Sequence, residues 1–132
     1  VRAAGGASHH VWWAPDVMPT LLDLVEAWRV PQYMDGVSQL DLWNGRVQPE
    51  HTHLYWELHE GGFSQAVRMG DWKAIRVGPL GAIKLYNLKE DPEEETDVAQ
   101  SHPDVVRHIA DIMKAERFES AKWPVENPLI AQ

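Results

Sequence analysis

The chain has 132 residues, 44% hydrophobic and 24% charged, with a formal net charge of −8. This length fits one modest domain able to bury a core, and the composition is that of a globular chain, not a disordered one. The acidic balance disfavours nucleic acid, which asks for a basic footprint, and no run approaches the ~20 apolar residues of a membrane span.

Cysteine is absent, which excludes disulfides, thiolate metal sites and a cysteine nucleophile. The opening Val1-Arg2-Ala3-Ala4-Gly5-Gly6 has neither an apolar signal core nor an initiator Met, and reads as the interior of a longer chain. The compartment is left open. Seven tryptophans suit a small core and an interface, with sugar stacking as a second use for one or two of them.

In chain order, Val11-Trp12-Trp13 reads as a short strand or a buried entry to a helix. Residues 16–28 are predicted to form an amphipathic helix, with Val17, Leu21, Leu24, Val25 and Trp28 at helical spacing. Asp16 is placed to cap it, Pro19 is tolerated in its first turn, and Pro31 lies past its end. Residues 30–50, with Pro31, Asp35-Gly36, Asn44-Gly45 and Pro49, predict a loop with short elements at most.

Residues 51–60 alternate. Leu54, Trp56 and Leu58 share one face, and His53, Tyr55, Glu57 and His59 the other, as in a half-buried strand ended by Gly61-Gly62. Residues 64–69 and 72–77 predict a hairpin around Gly70-Asp71. Its register pairs Met69 with Trp72, Arg68 with Lys73, Val67 with Ala74 and Ala66 with Ile75. Residues 83–88 alternate again and predict a further strand. Residues 90–97 carry six acids in eight positions and predict a solvated loop. A second helix is predicted over 102–119, capped by Ser101 and buried along Val105, Val106, Ile109, Ile112 and Met113.

Arg68 opposite Lys73 places like charges across two strands, which is destabilising without compensation. Glu57, Glu60 or splaying into water would relieve it; the functional alternative is a subsite for an anionic group, widened by Arg76 and Lys84 if their faces agree. His51, His53 and His59 share a face with Glu57, but at ~3.3 Å per residue His53 and His59 stand about 20 Å apart and cannot share an ion. Only His51 with His53, or Glu57 with His59, are close enough to be co-ligands, and zinc needs more. Histidines at a cleft rim fit the pattern better. The acidic run lacks the spacing and fixed glycine of a calcium hand. No Gly-x-Ser-x-Gly elbow is present.

Five segments, in order, resemble the sulfatase family. Asp16-Val-Met-Pro-Thr-Leu-Leu-Asp-Leu24 resembles its Asp-x-x-Pro-Thr helix, and Met34-Asp-Gly-Val-Ser38 the Asp-Gly-x-Ser loop that follows. His53-Leu-Tyr-Trp-Glu57 resembles the first strand of the C-terminal sheet, and Gln65-Ala-Val-Arg-Met-Gly-Asp-Trp-Lys-Ala-Ile-Arg76 the Ala-Val-Arg-x-Gly-x-Trp-Lys hairpin. Leu85-Tyr-Asn-Leu88, Asp91-Pro-Glu93 and Asp97-Val-Ala99 resemble the Leu-Tyr-Asp-Leu, Asp-Pro-x-Glu, Asn-Leu-Ala series. Two departures occur: Val25-Glu26 stands where Ala-Gly often ends the first helix, and the loop over 38–45 lacks the usual proline.

The resemblance implies an α+β fold, a small antiparallel sheet of about four strands packed with a C-terminal helix. Residues 1–50 would be the tail of the large α/β domain and 51–132 the C-terminal subdomain. It implies sulfate-ester hydrolysis in a parent enzyme, through a formylglycine made from the Cys or Ser of Cys/Ser-x-Pro-x-Arg and a bound calcium. Neither cofactor is expected on this chain: the nearest match, Ser101-His-Pro103, has Val105 where Arg is required. The expected contribution is a wall of the substrate cleft, with Glu57, His59, Arg68 and Lys73 as substrate-orienting groups and no catalytic residue. Expected partners are a sulfated sugar or aryl sulfate in the parent enzyme, and a missing N-terminal sulfatase domain or self-association. Nucleic acid and membrane are not expected. The alternative is a stand-alone anion- or sugar-binding module.

Overall fold

The computed structural model describes residues 7–27, 29, 31 and 33–125. The chain forms two compact units, 1–51 and 52–132.

In the first unit a 3-10 turn at Ala14–Asp16 leads into α1 (Val17–Leu24), and α2 (Leu40–Trp43) follows a loop. Trp13 is extended but belongs to no strand. Asp16 does not cap α1 with its side chain. Its buried carboxylate instead accepts from Val37 N at 2.9 Å, Trp13 N at 3.2 Å and Gln39 Nε2 at 3.2 Å, and meets His51 Nε2 at 2.9 Å. The Thr20 hydroxyl donates to Asp16 O at 2.6 Å and accepts from Gln39 N at 2.9 Å. The Asp and Thr of the Asp-x-x-Pro-Thr segment thus stitch α1 to the loop after it. Gly36 is required there, because a Cβ would lie 2.1 Å from Pro15 O.

α1 stops at Leu24, short of the predicted residue 28. Ala27 N bonds Leu22 O at 2.9 Å and Glu26 N bonds Asp23 O at 3.1 Å, a Schellman closure with Glu26 at φ 48°. Its apolar side is open: Val17, Met18, Leu21 and Leu24 are all exposed. Trp28, the last residue of the predicted stripe, lies outside the described residues.

The second unit holds an antiparallel sheet in the order β1 (Leu54–Leu58), β2 (Ser64–Met69), β3 (Trp72–Val77), β4 (Ile83–Asn87). The predicted hairpin register is observed pair for pair, with Gly70 at φ 57° in the turn. After a 3-10 turn at Ala99–Ser101, α3 spans Pro103–Ala115. Its N-cap is His102, not Ser101, and it ends four residues before the predicted 119.

Alternation and register assign side chains to the two faces. Val67, Ala74 and Leu85 form one row and pack, fully buried, on Ile109 and Met113 of α3. Tyr55 continues that row onto β1 and packs at the core's edge. The face of β1 that α3 covers is therefore the Tyr55/Glu57 face. Trp56 and Leu58, on the apolar face of the predicted strand, are 40% and 56% exposed. Leu54, on that same face, is buried, so the alternation is as read but both faces are partly covered, and α3 covers the side with Glu57, whose partners make its partial burial tolerable.

Candidate functional site

The four expected orienting residues fall on opposite faces of the sheet. Arg68 and Lys73 face each other across β2 and β3 on the side away from α3, in one row with Leu54 and Tyr86. Glu57 lies on the α3 side, paired with Gln65, which is paired with Arg76. One small ligand cannot bridge both groups through the sheet.

On the open face, Trp56, Arg68, Lys73, Leu88, Pro92 and Glu94 line a pocket of ≈ 400 Å³. The like-charge pair is relieved by neither Glu57 nor Glu60. Lys73 Nζ binds Glu94 Oε1 at 2.5 Å. Glu94 reaches it from a loop position with φ 59°, left-handed backbone that costs a non-glycine residue about 1 kcal/mol. Asp91 supports that loop, its carboxylate accepting from Thr96 N at 2.8 Å and Glu95 N at 3.2 Å. The other cation is not so matched: Arg68 Nε is buried without a hydrogen-bond partner. Lys84 shares this face and Arg76 does not, so only the former extends the basic patch.

On the α3 face, Glu57 is the centre of a polar network. Tyr55 donates to it, His59 Nε2 lies 3.2 Å away and Arg117 Nε 3.6 Å away. Gln65, almost fully buried, donates to Tyr55 Oη at 2.7 Å and to Met113 O at 3.1 Å, while its Oε1 accepts from both Nε and Nη2 of Arg76. Burial, then donation to Glu57, holds the Tyr55 phenol well above its ordinary range. Nothing local marks Arg117 as a partner of Glu57, 60 positions earlier in the chain; Gln65 is marked, as a polar residue at an inward position of an otherwise apolar strand face.

The histidines separate. His51 serves Asp16 in the first unit, His53 Nε2 meets Glu116 at 3.1 Å, and His59 meets Glu57. Among the described residues no three His, Cys, Asp or Glu side chains converge on a metal position. Asp97 binds two backbone amides, Ala99 N and Leu85 N, each at 3.0 Å, and these hold its carboxyl below the usual carboxylate range.

Relatives in sequence and in structure point the same way. Human Arylsulfatase K is 30% identical over 102 residues, which cover 68% of this chain and 19% of the enzyme. A putative sulfatase from Bacteroides thetaiotaomicron superposes with a TM-score of 0.69 at 23% identity, covering 76% of this chain and 23% of its own. This chain is similar to the C-terminal portion of a sulfatase. A third protein, solved in complex with its substrate D-glucosamine-2-N,6-O-disulfate, has a TM-score of 0.63 at 20% identity and covers 76% of this chain and 22% of its own. No family model matches. The sulfatase-like chain thus spans 19–23% of the length of these relatives.

Proposed function

We propose that this sulfatase-like chain forms one wall of a substrate cleft in a sulfuric ester hydrolase, orienting an anionic sugar through Arg68 and supplying no nucleophile. The observation that carries this is the asymmetry of the two cations. Glu94 neutralises Lys73, while the buried Arg68 Nε is left without a hydrogen-bond partner in the pocket that Trp56 also lines. A guanidinium presents a planar fork that matches sulfate or carboxylate. A structural neighbour solved with D-glucosamine-2-N,6-O-disulfate as its substrate supports a sulfated sugar as the class.

Calcium and formylglycine belong to the parent chemistry, and the residues here fit neither. Ser101 lies in a short 3-10 turn, Val105 stands where the arginine of the maturation motif is needed, and no acidic trio converges among the described residues. No step of sulfate transfer is assigned to this chain.

The stand-alone anion- or sugar-binding module remains a second reading, favoured by the self-contained core of residues 52–132. The open apolar side of α1 favours the cleft-wall reading, because such a side calls for a covering partner. Titration with glucosamine 6-sulfate, followed by NMR, tests the Arg68 assignment. Shifts should gather at Arg68, Trp56 and Leu88 and vanish in Arg68→Gln. Equal binding by the variant would refute it.

A further inference from the structure

The opposite face of the sheet carries a second concavity that the cleft-wall role leaves unused. Phe63, Gln65, Arg76, Lys114, Arg117 and Glu119 are among the residues lining a pocket of ≈ 810 Å³ at the C-terminal end of α3. Its floor is fixed, because the buried Gln65 amide oxygen holds the Arg76 guanidinium. One aromatic ring, Phe63, lines it, and His59 and Trp123 lie beyond that ring. The Arg117 guanidinium stands 5.7 Å from the Phe63 ring centre; the His59 ring lies 5.4 Å from Phe63 and 5.8 Å from the half-exposed Trp123, tilted 37° to the latter.

Charge decides the class of ligand. Arg76, Lys114 and Arg117 line the pocket together with Asp111 and Glu119, and Arg117 Nε also lies 3.6 Å from Glu57. Glu119, whose side chain is 82% exposed, nevertheless places its carboxylate 2.6 Å from Arg117 Nη1. An exposed carboxylate held on a guanidinium that is only 22% exposed is a replaceable occupant. An aromatic face beside such a position suits the C–H face of a pyranose ring. A polyanion such as nucleic acid is opposed by the acidic pair and by the net charge of −8.

We propose that this pocket is an accessory site for an acidic saccharide. The acid group of one sugar takes the place of the Glu119 carboxylate on Arg117, Lys114 adds a second cation, and the ring lies against Phe63. The site is separate from the Arg68 pocket and does not depend on it.

The test is an NMR titration of the full 132-residue chain with a sulfated hexosamine–uronate disaccharide, its desulfated form, lactose and inorganic sulfate. Amides of Phe63, Lys114 and Glu119 should shift together and saturate with the sulfated disaccharide. Binding retained by the desulfated form assigns the uronate carboxylate as the acid group; binding lost assigns the sulfate. Both substitutions fall on exposed side chains, so folding is spared: Glu119→Gln should tighten binding roughly threefold, and Lys114→Gln should weaken it roughly fivefold. Arg68→Gln should leave it unchanged, which separates this site from the cleft-wall reading. Equal binding of lactose, the same shifts with inorganic sulfate alone, or weaker binding by Glu119→Gln would each overturn the proposal.

Discussion

Replacing Gln65 by Met removes a polar hub and keeps its volume. The side chain is 1% exposed and serves the Tyr55 hydroxyl at 2.7 Å, the Met113 carbonyl at 3.1 Å and the Arg76 guanidinium at 3.0 Å, with a longer contact to Glu57 at 3.4 Å. Tyr55 keeps Glu57 as a partner, so its loss is that of an ordinary hydrogen bond, about 1 kcal/mol. The Met113 carbonyl belongs to the last turn of α3, where helical partners run out, and leaving it unpaired costs about 1 kcal/mol more. Arg76 loses a charged bond but can turn toward the adjacent pocket, which limits its share to about 1 kcal/mol. The expected destabilisation of residues 52–132 is therefore about 3 kcal/mol, comparable to truncating a core leucine. Native-state hydrogen exchange at Val67 and Leu85, both at 0% exposure, reads the opening of this unit directly. Exchange should accelerate roughly a hundredfold. An acceleration under about threefold would mean that apolar packing alone holds the sheet to α3 and that the Glu57–Gln65–Arg76 row is incidental.

Three further outcomes are expected. Glu26→Gly should stabilise the first unit by about 0.5 kcal/mol, because Glu26 occupies the left-handed closing position of α1 that glycine takes without strain; thermal melting checks it. A double-mutant cycle of Lys73→Met and Glu94→Gln should give a coupling of about 1 kcal/mol, fitting an ion pair whose side chains are 29% and 25% exposed, and denaturant titration of the four proteins measures it. Acid should weaken the β4 connection through Asp97. Its folded-state pKa lies below the unfolded value of 3.8, so its contribution is complete above that value and is lost as pH falls through the folded one; Asp97→Asn should flatten that limb of the stability–pH curve.

The strands and the hairpin register were legible because they rest on local alternation and one turn, Gly70-Asp71. Helix ends were less so. The stop of α1 lies in a left-handed Glu26, a residue with no turn preference to betray it, and α3 took His102 as its N-cap although Ser101 was at hand. The covered face of β1 was hidden for a non-local reason. Three apolar residues outweigh Tyr55 and Glu57 in any local count, yet Gln65 and Arg117 satisfy Glu57 from elsewhere in the chain. The same holds for Asp16, which looks like a cap in sequence and acts as a buried acceptor for Val37, Gln39 and Trp13. Of the orienting residues, the Arg68–Lys73 pairing was readable from the hairpin. The role of Glu94 was not, since an acidic run on a loop gives no hint of which carboxylate turns inward.

Sulfate release from an aryl sulfate by the purified chain, with calcium present, tests most directly whether this chain orients substrate without supplying the nucleophile. No release above the rate of the buffer is expected. Steady release that a chelator abolishes would contradict it and place a working sulfatase centre within these 132 residues.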